Sequence, residues 1–141
     1  MSDIPERLAA IFADPPCAES LSTRVLDTRL RIAEPAATAA VAHFTLELPQ
    51  EALGVTGTAE SYYLFLAASK ALSGHVWAMY GEPGSEIEAS MSLFSSVREA
   101  GALALTTEVL KKGKTLAFFR TTIRQKDKVV AECRSTRVFH A

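Results

Sequence analysis

Three groups of residues carry side chains whose types and spacing could do chemistry. Thr56, Gly57, Thr58, Glu60 and Ser61 fall where a long helix should begin. Unpaired N–H groups and the positive end of the helix dipole favour negative charge there, so a first-turn carboxylate such as Glu60 stays ionised and can take a proton. Glu86 opens a later strand pattern and is a second free carboxylate. Lys111, Lys112 and Lys114 surround Gly113; three ammonium groups and exposed backbone N–H groups on a tight turn suit phosphates. Other chemistries lack their residues. No Ser-His-Asp order and no phosphate-binding glycine loop occurs. Cys17 and Cys133 form neither a CxxC nor a Cys/His spacing, so no metal is expected. His43 lies mid-strand on a polar face with no acidic partner nearby in sequence.

The elements that must position these groups follow from periodicity. The spacing predicts a helix over Thr56 to Gly74, with Gly57 and Thr58 as turn and N-cap, Glu60 in the first turn, and Lys70 and Gly74 at the stop. Tyr62 to Ala68 is apolar on every face, the pattern of a helix surrounded by protein. At a rise of ~1.5 Å per residue its roughly 17 residues span about 25 Å, short for a bilayer, and they carry Glu60 and Lys70 as well. An amphipathic helix is predicted over residues 3–14, capped by Asp3 with Pro5 and Glu6 behind it, carrying Leu8, Ile11 and Phe12 on one face and stopped by Pro15-Pro16. Leu26, Thr28, Leu30 and Ile32 alternate, as do Ala42, Phe44, Leu46 and Leu48. After the turn at Gly81 to Gly84, Ile87, Ala89, Met91 and Leu93 alternate with Glu86, Glu88, Ser90 and Ser92. Strands over Leu103 to Leu110, Thr115 to Arg124 and Lys128 to Phe139 are joined by turns short enough for a meander. Two strands, one buried helix and four strands make an α+β domain in which a curved antiparallel sheet wraps the helix.

With 141 residues and 48% hydrophobic content, the chain is read as one domain, 1–141. A net charge of −1 gives no electrostatic reason to expect nucleic acid as a partner. The N-terminus has no apolar signal core, and Asp3 and Glu6 argue against a transit peptide, so a soluble cytoplasmic protein without membrane insertion is expected.

The run EVLKKGKTLAFFRTTIRQKDKVVAECRSTRVF, Glu108 to Phe139, resembles the C-terminal half of hotdog-fold thioesterases. It is similar to the phenylacetyl-CoA thioesterase group and to thioesterase superfamily member two. VLKKGKTLAFF matches their strand, basic glycine turn and strand, VVAECRSTRVF matches their last strand, and the order of elements agrees over about residues 20–139. The resemblance implies a helix wrapped by a sheet, a homodimer or homotetramer built by pairing sheets edge to edge, and active sites at the dimer interface. It implies hydrolysis of an acyl-CoA thioester to free acid and CoA, with coenzyme A as part of the substrate and no separate cofactor.

In that family a backbone N–H at the start of the central helix polarises the thioester carbonyl, and a helix carboxylate activates water or attacks the acyl carbon. The resemblance assigns the N–H to Gly57, whose missing side chain lets a carbonyl come close. The motif departs from the family at two places: His-Gly-Gly is replaced by Thr56-Gly57-Thr58, and the acid position holds Phe65, or Leu66 one residue on. Two carboxylates could substitute: Glu60 in the first turn is the expected base, and Glu86, where relatives carry a hydroxyl residue, is next in line. Thr56, Thr58 and Ser61 could hydrogen-bond the thioester or a water. Lys111, Lys112, Gly113 and Lys114 would face the CoA phosphates, and Arg98 resembles a position near the nucleotide. Tyr62, Tyr63, Phe65 and Trp77 read as core or as acyl-pocket wall. An acyl-CoA thioesterase leads, and a catalytically silent hotdog domain that binds acyl-CoA or serves as an interaction module is the alternative. A hotdog dehydratase or hydratase would need an acid and His pair near the helix that the sequence lacks.

Overall fold

A computed structural model describes residues 4–13, 30–32, 38 and 40–140. The amphipathic start forms helix α1, Ile4–Ala13, and buries Ile4 and Leu8 against the central helix. Strand β1, Leu30–Ile32, is the described part of the first alternating stretch, and the expected positions Leu26 and Thr28 lie outside the described residues. Strand β2, Val41–Leu48, alternates as its sequence requires, with Ala42, Phe44, Leu46 and Leu48 all buried. A 3-10 turn over Gln50–Leu53 leads toward the central helix, α2, Ser61–Tyr80. Strands β3, Ser85–Leu93, β4, Gly101–Lys112, β5, Leu116–Gln125, and β6, Lys128–Val138, complete the chain.

All six strands lie in one sheet, ordered β1-β2-β4-β5-β6-β3, with every pair antiparallel. The last three strands form the expected meander. β3 crosses to the far side of β6 and becomes an edge, pairing Ala89 with Ser135 and Met91 with Cys133. A bulge between Glu86 and Glu88 makes Ile87 the extra residue.

The central helix differs from its expected limits. It starts at Ser61 with Glu60 as N-cap, not at Thr58. Gly54 to Thr58 form turns instead, with Gly54 and Gly57 both at positive φ. At the other end, Gly74 is buried inside the helix, which runs on to Gly81, a left-handed cap whose N–H donates to the Trp77 carbonyl at 2.8 Å. A helix glycine costs only about 1 kcal/mol relative to Ala, and the packing of the surrounding turns overrides that preference. The expected all-round burial of Tyr62 to Ala68 also needs correction. Leu64, Ala67 and Ala68 are buried, Tyr63, Phe65 and Leu66 are half-buried, and Tyr62 is 63% exposed. Tyr63, Phe65 and Leu66 still pack against the core, and Tyr62 is the side chain of this stretch that faces outward among the described residues.

Candidate functional site

The start of α2 is a crowded turn. The Gly57 N–H donates to the Gly54 carbonyl at 3.4 Å, and the Thr56 and Thr58 hydroxyls share a hydrogen bond at 3.0 Å. A Cβ added at Gly54 would lie 3.2 Å from Glu60 Oε1, so the Glu60 carboxylate, exposed to solvent, folds back over this turn. The Glu60 carbonyl accepts from the N–H groups of Tyr63 and Leu64. Ser61 and Tyr62 are therefore the first-turn residues whose N–H groups have no intrahelical partner. The Ala59 N–H donates to the Val97 carbonyl at 2.8 Å, which ties this end of the helix to Arg98 and Glu99.

Further along α2, Phe65, Ala68, Ser69 and Leu72 face the concave side of the sheet across a cavity closed by Ala89, Thr121, Cys133 and Ser135, with Glu86 at its mouth. The Glu86 carboxylate accepts from the Ser135 hydroxyl at 2.7 Å and from Arg137 at 3.3 Å, both through Oε2. Oε1 is the oxygen left for a water or a substrate. Arg137 is 3% exposed and also donates to the Ser73 hydroxyl at 3.0 Å and the Pro83 carbonyl at 2.9 Å. Its Nε has no partner among the described residues, and burial lowers the guanidinium pKa below its ordinary value while Glu86 pulls it back up. Such a cation stays charged and fixes the carboxylate in place. Burial, reinforced by Glu86 and Glu132, pushes the Cys133 thiol up to about 12, which removes the thiolate a cysteine nucleophile needs.

The basic turn belongs to the other end of the helix. The Tyr80 hydroxyl donates to the Gly113 carbonyl at 3.2 Å, Lys112 Nζ lies 5.4 Å from the centre of the Tyr80 ring, and that ring stacks on Phe139 at 3.8 Å. Lys111, Lys112 and Lys114 project into solvent. The twenty residues of α2 span about 30 Å, so one protomer holds the two groups far apart. Thr56, Gly57, Thr58, Glu60, Ser61 and Arg98 gather at the helix start, and Lys111 to Lys114 gather at its end. Glu86 lies between them, against the stretch Phe65 to Ser73.

Arg137 and Ser135 were missed by sequence reasoning, although a signal existed. Along β6 they alternate in phase with Ala131 and Cys133, and a charged residue in the inward phase of a strand needs a buried partner. His75, wholly buried in α2, was missed because the helix was expected to end one residue before it. Its Nδ1 lies 2.9 Å from the Thr107 hydroxyl and its Nε2 3.0 Å from the Thr38 carbonyl.

The architecture matches solved structures over almost the whole chain. The zebra fish thioesterase superfamily member 2 is similar with a TM-score of 0.79 and 18% identity, covering 99% of this chain and 97% of that one. The fold is the hotdog. The E. coli PaaI protein from the phenylacetic acid degradation operon matches this hotdog domain with a TM-score of 0.76 and 16% identity, covering 99% and 96% of the two chains. A Streptococcus mutans protein bound to acetyl CoA matches with a TM-score of 0.70 and 15% identity, over 78% of this chain and 88% of that one. No family model matches the hotdog chain, and no curated protein matches it in sequence. Among its described residues no helix is long and apolar enough to cross a membrane.

Proposed function

We propose that the chain is an acyl-CoA thioesterase that works as a homodimer, or a dimer of such dimers, hydrolysing acyl-CoA to the free acid and CoA. The observation that carries this reading is the Glu86 carboxylate, anchored by Ser135 and Arg137 at the mouth of a cavity against α2. The likeness to thioesterase superfamily structures, one of them bound to acetyl CoA, supports the same reading.

The topology supports a site shared by two protomers. Among the described residues β3 is a nine-residue edge with Ile87 61% exposed, and an unpaired edge of that length is a template for another strand. β3 runs opposite to α2, from the helix end at Ser85 to the helix start near Phe94 and Val97. Antiparallel pairing of two β3 edges would therefore turn the helix start of the partner subunit toward this chain's Glu86 and its Lys111 to Lys114 turn. Groups some 30 Å apart in one protomer would meet across the interface, and the exposed Tyr62 ring would be covered.

In that arrangement Glu86 Oε1 takes a proton from water as the water oxygen bonds to the thioester carbon. The negative charge that develops on the carbonyl oxygen is met by N–H groups at the helix start of the partner subunit, where the dipole and unpaired donors favour it. The C–S bond then breaks, the acid leaves, and the thiolate of CoA takes up the proton. Arg98 and the three lysines supply cations for the phosphates of CoA.

Acyl-CoA hydrolysis followed by thiol release tests the reading. Glu86→Gln keeps the shape and removes the base, and kcat should fall by roughly 10²- to 10⁴-fold. Glu60→Gln, which alters an exposed group folded over its own turn, should leave most of the rate. Light scattering at micromolar concentration should give at least twice 15.2 kDa. A fast Glu86→Gln variant beside a slow Glu60→Gln variant would move the base to the helix start. Tight CoA binding with no turnover of any thioester would favour a silent binding domain.

A further inference from the structure

We infer that the cavity beneath Glu86 selects short, unbranched acyl groups of about two or three carbons, and that Phe65 sets the limit. The inference rests on Glu86 being the group that holds the attacking water, because this fixes where the thioester carbon sits and sends the acyl chain inward. The inward path is short. Phe65, Ala68 and Leu72 lie at helical spacing along one wall, and Ala89, Thr121 and Cys133 form the other. Leu72 is 2% exposed and Thr121 1% exposed, and behind them Val76, Ala117 and Phe119 form a filled core cluster. Measured to the centre of a water-sized sphere, the free space is about 10 Å³, room on the order of one water and hence of one methyl group. An acetyl methyl fits. An eight-carbon chain or a phenyl ring is larger than that space, and in an apolar pocket a single methylene changes discrimination by roughly 10-fold or more. Phe65 is the residue of the helix wall nearest the surface, half-buried where Leu72 and Thr121 are fully buried, and Phe65→Leu trims it while keeping an apolar side chain against the core it packs on. The chain would thereby differ in substrate from a protein built for an aromatic acyl group.

The test measures kcat/KM and Kd for acetyl-, butyryl-, octanoyl- and phenylacetyl-CoA, with free CoA as the common reference, on the wild type, Phe65→Leu and Phe65→Ala. The wild type should prefer acetyl-CoA over octanoyl- and phenylacetyl-CoA by about 100-fold in kcat/KM, and the preference should shrink in the order Phe65→Leu, then Phe65→Ala. Equal or faster turnover of octanoyl- or phenylacetyl-CoA by the wild type overturns the size limit and leaves the thioesterase reading standing. An unchanged preference in Phe65→Ala removes Phe65 as its cause. If nothing is hydrolysed but acetyl-CoA binds more tightly than octanoyl-CoA and Phe65→Ala reverses that order, the size limit stands and hydrolysis falls. No binding of any thioester overturns both.

Discussion

Replacing His75 by Leu should destabilise the protein at pH 8 by about 1–3 kcal/mol, and that deficit should shrink as the pH falls below about 6.5. The imidazole is wholly buried between the Thr107 hydroxyl and the Thr38 carbonyl. With Nε2–H donating to the carbonyl and Nδ1 accepting from the hydroxyl, both ring nitrogens are paired in the neutral form that burial favours. Leucine fills similar space but leaves both partners without it. Thr38 is exposed and can turn to water, and Thr107 keeps a long contact of 3.5 Å to the Ala42 carbonyl, so the loss stays at the low end of what two orphaned groups could cost.

Burial holds the His75 pKa below its ordinary value, with the bond to Thr38 opposing that shift. The unfolded chain takes up the proton near pH 6.5 and the folded chain only at lower pH, so wild-type stability falls as pH drops below that point. His75→Leu, with no group there to titrate, does not share that loss. Urea unfolding of both proteins at half-unit steps from pH 8 to pH 5 gives the difference curve. A constant gap across that range would mean that the folded protein charges His75 as readily as the unfolded chain, and the neutral-ring account would be abandoned.

Two further outcomes are expected. Gly84→Ala should lower stability by about 1–3 kcal/mol in thermal unfolding, because φ is +71° and the new Cβ would sit 2.8 Å from the Phe139 ring, which is pinned by its stack on Tyr80; an unchanged melting temperature would show that the ring can give way. Replacing Lys111, Lys112 and Lys114 together by Ala should weaken CoA binding and flatten its salt dependence, since exposed charges are screened over about 8 Å at physiological ionic strength. The same affinity and the same salt slope in calorimetry would assign the turn to solubility alone.

The fold was legible where burial is one-sided and local. β2 alternates in sequence as it does in burial, and the two short turns of the meander carry Gly113 at one and Lys126 at positive φ at the other. The limits of α2 were not legible because the same residue types serve competing structures. Thr58 and Gly57 suit an N-cap but also suit the turn they adopt, and Gly74 looks like a stop until the packing that buries it is known. The strand order was equally hidden. Nothing local says that β3 pairs with β6, since the partners lie 38 (Leu93 and Ala131) to 53 (Ser85 and Val138) positions apart.

That pairing also explains why the site was only half visible. A carboxylate on a helix declares its neighbours through the 3.6-residue period, whereas Glu86 acquires its partners through register. Ser135 is 49 positions away and Arg137 51, and neither meets Glu86 unless β3 lies against β6 with the bulge at Ile87 in place. The apolar residues at positions 65 and 66 and the anchored carboxylate at position 86 are two sides of one arrangement. With Phe65 on the helix wall, the charge that would face the cavity from α2 is gone, and a guanidinium buried in β6 holds a carboxylate at the mouth from the sheet side. If the arrangement works as one unit, Arg137→Gln should depress turnover nearly as far as Glu86→Gln, and the double variant should be little worse than either, because the effects of residues that act together do not add. Independent, multiplying losses in that double-mutant cycle would separate the arginine from the chemistry and leave it as a structural ion pair alone.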